Sequence, residues 1–149
     1  MAGDGPLMTT CQLLKRRSQF SEKIKLLGTV SYEIARSLRN ECHIFTAHNI
    51  KGCLSNQEEA YGVSIIEAMG AGLPVVTGKS GGVKETVIHN VTGFLFDPGD
   101  IELHSRYLTE LAGDNLKRQK MGYMALSHVV KNFTLAREKS ELLKIVTAR

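Results

Sequence analysis

The sequence contains no tryptophan, and its aromatic side chains are four tyrosines and five phenylalanines. That scarcity bears on its two basic clusters, Lys15-Arg16-Arg17 and Lys117-Arg118. A surface that binds single-stranded nucleic acid interleaves stacking rings with cations, and neither cluster does. Nucleic acid is therefore not expected as a partner, despite a net charge of +4. The clusters read as solvated helix faces, or more sharply as attraction for anionic headgroups or phosphorylated ligands. No run of 18 apolar residues occurs, so no membrane-spanning helix is expected. The first twenty residues lack the apolar centre of a secretory signal. Three cysteines, Cys11, Cys42 and Cys53, form no Cys-x-x-Cys pair and leave one over. Reduced thiols in a cytoplasmic protein are expected, with peripheral attachment to a membrane compatible with the basic faces.

Other signatures are missing too. The five histidines, His43, His48, His89, His104 and His128, show no metal-ligand spacing, so no metal is expected. There is no Gly-x-Ser-x-Gly nucleophile turn. Gly3-Asp4-Gly5-Pro6 is not Gly-x-Gly-x-x-Gly and follows no strand, which leaves a dinucleotide fingerprint unsupported.

What is present is alternation of short apolar runs with helical stretches, over 149 residues that are 42% hydrophobic. Runs 24–28, 43–47, 73–77 and 94–96 read as strands. Helices are expected over 31–39, 63–71, 83–88, 101–112, 114–131 and 134–147. Gly72 closes the second of these, and Asp100, Asp114 and Thr134 are candidate N-caps for the last three. Strands that are apolar without alternation belong to a parallel sheet covered by helices on both faces. The fold class is therefore α/β, a Rossmann-like parallel sheet of about four strands. Such sheets bind ligands at the carboxyl ends of their strands, where loops run into helix N-termini. The loops 48–62 and 78–82 occupy that position.

Gly62 stands where the first loop becomes a helix, so N–H groups near Gly62, Val63 and Ser64 have no partner within the helix. With the helix dipole they form an anion site suited to a diphosphate. Glu59 lies just before that helix and Glu67 inside it. Carboxylates repel phosphate but accept hydrogen bonds from sugar hydroxyls. The alternative is an ordinary acidic helix start, with Glu58 and Glu59 complementing the dipole. Gly78-Lys79-Ser80-Gly81-Gly82 is either a second backbone nest, with Lys79 adding charge, or a plain strand-to-helix turn. His48, directly after a strand, faces the same expected edge.

In order along the chain stand Gly-Asp-Gly-Pro-Leu at 3–7, Leu27-Gly28 and Glu-Ala-Tyr-Gly-Val-Ser-Ile-Ile-Glu-Ala-Met at 59–69. Gly72-Leu73-Pro74-Val75-Val76, Ser80-Gly81-Gly82 with Glu85, Thr92-Gly93 and Asp97-Pro98-Gly99 follow. This set resembles the C-terminal domain of the family 4 glycosyltransferases, which have the two-Rossmann GT-B architecture. The resemblance implies a retaining, metal-independent transfer of a hexose from a UDP- or GDP-sugar to a glycan or lipid acceptor. It implies that Glu59 is catalytic, contacting the donor sugar's hydroxyls. It further implies that amides of Ala60, Tyr61 and Gly62 line the sugar, those of Val63 and Ser64 hold the diphosphate, and Glu67 takes the ribose hydroxyls. Family members carry an acceptor domain, an Arg and a Lys that grip the diphosphate, and two strands ahead of the Gly-Asp-Gly-Pro turn. Residues 1–149 are thus expected to be one partial nucleotide-sugar-binding domain without its first two strands. In the family's strand order, 24–28 would have to close against 43–47. Such a chain is expected to be inactive alone, needing an absent N-terminal domain or partner chain. The alternative is a sugar-nucleotide-binding module, or a vestigial fragment, that catalyses nothing.

Overall fold

The computed structural model describes residues 1–48 and 61–147. They divide into two compact units, 1–41 and 42–149.

In the first unit, helix α1 (Met8–Arg17) ends on Lys15, Arg16 and Arg17, whose charges complement the carbonyls of its last turn. A single 3-10 turn, Ser21–Lys23, follows. Helix α2 (Tyr32–Glu41) starts with the Ser31 hydroxyl accepting from the Ile34 N–H at 3.3 Å. The run 24–28, expected as a strand, is not one. Its backbone bonds go to the chain's first residues. The Met1 ammonium donates to the Lys25 carbonyl at 2.6 Å, Leu27 N–H to the Met1 carbonyl at 2.9 Å, and Gly3 N–H to the Gly28 carbonyl at 2.8 Å. None of residues 1–41 is buried, so no apolar face holds that run in a sheet.

Among the described residues, the second unit holds a parallel sheet of three strands in the order β1 (Phe45–Ala47), β2 (Val75–Gly78), β3 (Gly93–Phe96). Phe45 stands beside Val75, and Val76 beside Phe94. The sheet therefore has one strand fewer than expected, and 24–28 is not among them. All four residues of β2 and all four of β3 are buried. On one face Val75 and Leu95 pack with Ile65, Ala68 and Met69 of α3 (Val63–Gly70), Val83 of α4 (Val83–Thr86), and Ala125 of α6 (Asn115–Asn132). On the other, Val76, Phe94 and Phe96 pack with Leu111 of α5 (Ile101–Gly113) and Met121 of α6. Phe94 stacks on Tyr107 at 4.2 Å between ring centres. The expected covering of both faces is what the structure shows, because pleated neighbours point to opposite sides.

Helix boundaries follow local chemistry. Asp100 and Asp114 accept from the N–H groups of Leu103 and Lys117 at 2.8 and 2.9 Å, capping α5 and α6. The Thr134 hydroxyl accepts from Arg137 N–H at 3.3 Å ahead of α7 (Leu135–Thr147). Helix α3 ends in a Schellman turn, in which Leu73 N–H reaches the Ala68 carbonyl and Gly72 N–H the Met69 carbonyl, both at 3.0 Å. Gly72 supplies the left-handed φ of 78°. The Lys117-Arg118 pair is engaged internally. Lys117 pairs with Glu110, and the Arg118 guanidinium donates to the Leu111 carbonyl at 2.8 Å, which satisfies the end of α5. Helix α7 buries none of its described residues. Among the described residues no helix is long and apolar enough to cross a membrane.

Helix α6 packs against α3, and its buried Gly122 closely approaches the turn that follows α3. A Cβ there would run into the Gly72 carbonyl oxygen and stand 3.3 Å from Pro74 Cδ. Gly122→Ala is expected to destabilise the second unit by about 1–3 kcal/mol, the usual cost of overpacking. Gly113→Ala, where a Cβ meets nothing within 4 Å, serves as the control and should not destabilise. Denaturant unfolding of both variants measures this, and equal midpoints would show that the close approach is not a constraint.

Candidate functional site

Since the strands are parallel and α3 leads back into β2, the N-terminus of α3 lies at the carboxyl edge of the sheet. Gly62 takes the turn into it with φ 75° and ψ 49°, a left-handed conformation. Gly62 is buried, and a Cβ there would meet Ile65 Cδ1 at 3.0 Å and Val83 Cγ2 at 3.5 Å. The Gly62 carbonyl starts the helix by accepting from Ile65 and Ile66 at 2.9 and 3.1 Å. Val63 and Ser64 are exposed, and their N–H groups come before Ile65, the first donor within the helix. Gly62 has no side chain with which to cap this end, and no acidic residue stands in the first turn of α3. Its positive end therefore stays uncompensated from within the first turn, unlike those of α5 and α6, each carrying an aspartate.

The loop 78–82 is tied to the same place. The Thr86 hydroxyl donates to the carbonyls of Tyr61 at 3.4 Å and Gly82 at 3.2 Å. The structure thus brings Tyr61 and Gly62, at the start of α3, beside the end of the Gly78–Gly82 turn and α4. The Tyr61 ring is exposed and meets Phe133 edge-on at 6.4 Å, and Phe133 in turn meets His128 at 5.4 Å. Phe133 reaches this edge only through tertiary packing, which returns the end of α6 to it. Glu67 is half-buried one turn inside α3, on the same side as Val63. Glu59 and Ala60 lie outside the described residues. Lys79 pairs with Asp97 at 3.3 Å, with both side chains exposed. Among the described residues no group of three potential metal ligands is found.

His48 has a structural partner at the same edge. Its Nε2 accepts from Gly99 N–H at 2.9 Å, and its ring meets Phe96 edge-on at 5.1 Å. Beside it, His104 Nε2 lies 2.7 Å from the Thr46 hydroxyl, which donates to the Val76 carbonyl at 3.0 Å. With that proton committed, Thr46 accepts from His104, so the neutral ring carries its proton on Nε2.

The sequence matches the family described as glycosyl transferases group 1 over residues 1–128. The chain belongs to this family. A relative from Corynebacterium glutamicum, a GDP-mannose-dependent monoacylated alpha-(1-6)-phosphatidylinositol monomannoside mannosyltransferase, is 31% identical over 131 residues. That alignment covers 87% of this chain and 33% of the relative. An Anabaena protein crystallised with UDP-glucose superposes with a TM-score of 0.76 at 23% identity, over 99% of this chain and 40% of that one. The C-terminal domain of a group 1 family protein from Francisella tularensis superposes with a TM-score of 0.71 at 18% identity. It covers 88% of this chain and 66% of that domain's chain. These structures agree on the α/β fold of GT-B glycosyltransferases. The group 1 chain described here spans about one third of the length of curated relatives it matches.

Burial lowers the pKa of His104 below the ordinary 6.5, with the neighbouring His48 adding to the effect. His89 is lowered by burial and then by Lys79. For a depressed histidine the unfolded chain takes up the proton first as pH falls. The stability these rings confer is full above about 6.5 and is lost as pH falls through their lower folded values. The denaturant midpoint is expected to fall between about pH 7.5 and about pH 5.5, with a smaller fall in His104→Gln. An identical fall in that variant would remove His104 from the account.

Proposed function

We propose that this chain is the donor-binding part of a retaining hexosyltransferase that uses a nucleoside-diphosphate sugar. One observation carries the reading: at the carboxyl edge of a parallel sheet, the start of α3 presents the exposed residues Val63 and Ser64 with no acidic residue in its first turn. Family membership supports it, as does UDP-glucose in the Anabaena relative and GDP-mannose in the name of the Corynebacterium enzyme. The N–H groups of Val63 and Ser64 hold the diphosphate, amides of Ala60, Tyr61 and Gly62 line the sugar, and Glu67 accepts from the ribose hydroxyls. Glu59 contacts the sugar at the reacting centre. Charge on the departing nucleoside diphosphate is stabilised by backbone dipoles and protein cations, without a metal.

Residues 1–149 act in this reading as one partial domain, since the family match runs across both compact units. The acceptor, a glycan or a lipid, is bound by a further domain or a partner chain, and transfer requires it. Without that part the chain binds donor and transfers nothing. The protein works in the cytoplasm in this account, and the Lys15-Arg16-Arg17 turn, with Arg16 and Arg17 exposed, suits it to peripheral contact with anionic lipid.

Calorimetry with UDP, GDP, UDP-glucose and GDP-mannose tests the assignment residue by residue. One nucleotide series is expected to bind. Glu67→Ala should weaken free nucleotide and sugar nucleotide alike by about 10- to 100-fold, the worth of a charge-assisted hydrogen-bond pair. Glu59→Ala should weaken only the sugar nucleotide. A chain that binds none of the four, or variants that bind as well as the parent, would remove the proposal.

A further inference from the structure

Two hydroxyls at the end of β2 have no role in the packing already described. Thr77 is 0% exposed and Ser80 4% exposed. Among the described residues neither Oγ1 of Thr77 nor Oγ of Ser80 has a hydrogen-bond partner, and neither atom is reached by solvent. A buried hydroxyl left without a partner is costly, and a threonine in a strand normally finds one. Valine would fill the same space in β2 without that cost.

Their position is specific. Strand parity puts Thr77 on the face of Val75, and its neighbour on β3, Leu95, packs there as well. That face is covered by Ile65 of α3 and Val83 of α4. Thr77 is nearer the carboxyl edge than Val75, on the sheet face that α3 covers. Ser80 lies in the turn joined to the same start through the Thr86 bond to Tyr61 and the approach of Val83 to Gly62. Gly81, in that turn, has a φ of 49°.

We propose that Thr77 and Ser80 are ligand-binding hydroxyls, completing their hydrogen bonds with the diphosphate of a nucleotide held at the N-terminus of α3. The inference rests on the donor-site reading above and adds two residues to it. Both oxygens are covered in the free chain, so binding shifts the Gly78–Gly82 turn to reach them. The cost of leaving them unbonded is then recovered only with ligand in place.

The test is thermal unfolding and calorimetry of the 149-residue chain, alone and with UDP, GDP or inorganic pyrophosphate, for the parent, Thr77→Val and Ser80→Ala. Without ligand both variants are expected to unfold at the parent's temperature or above it. With ligand each should bind about tenfold more weakly, with Thr77→Ser restoring affinity, as expected for one lost charge-assisted bond. Loss of the pyrophosphate response as well places the contact on the diphosphate. Unchanged affinity in both variants, with the parent binding normally, overturns this inference and leaves the donor site standing. A lower unfolding temperature without ligand also overturns it, because the hydroxyls then serve the fold. A parent that binds none of the three probes overturns both readings together.

Discussion

Burial of β2 on both faces is the constraint from which the rest of the second unit follows. A strand with four consecutive buried residues needs a strand on each side and helices above and below. Parallel neighbours cannot be joined by a tight turn, so α3 has to carry the chain back from β1 to β2. Its direction is then opposite to the strands, and its N-terminus arrives at their carboxyl edge. Helix α4 returns the chain from β2 to β3 in the same way. Two helix starts and two loops therefore converge on one edge because of how an apolar sheet is covered.

The polar groups sort into those that finish the fold and those left open. Asp100, Asp114 and Arg118 each satisfy a helix terminus, and the Schellman turn at Gly72 closes α3. His48 and His104 are hydrogen-bonded into the sheet edge through Gly99 and Thr46. Against these, the start of α3 has no acidic residue in its first turn, and among the described residues the hydroxyls of Thr77 and Ser80 are buried without a partner. Both features belong to the carboxyl side of the sheet, the edge at which α/β proteins bind ligands.

Much of this architecture was legible in order along the chain. The helices over 101–112, 114–131 and 134–147 were readable because their caps are local, with each acceptor three residues from its donor. Strands 73–77 and 94–96 showed as apolar runs bounded by glycine, proline and turn residues. The run 24–28 was misleading for the same reason. Apolar character marks a segment able to pair, but pairing needs a neighbour, and its hydrogen bonds went to residues 1–3. At the site, Gly62 through Ser64 were predictable from a loop-to-helix transition. The tie from Thr86 to Tyr61 was not, since it joins residues 25 apart. Nor was the role of His48, which depends on an N–H group 51 positions away.

What the sequence determined by itself was the set of elements, their capping and the ordered residues that mark the family, because each depends on neighbours within a few positions. The tertiary structure alone decided which loops meet, that Lys117 and Arg118 serve α5 instead of an external anion, and that two hydroxyls are buried without partners. Those outcomes depend on side chains brought together by a shared apolar core, whose contacts no short stretch of sequence encodes.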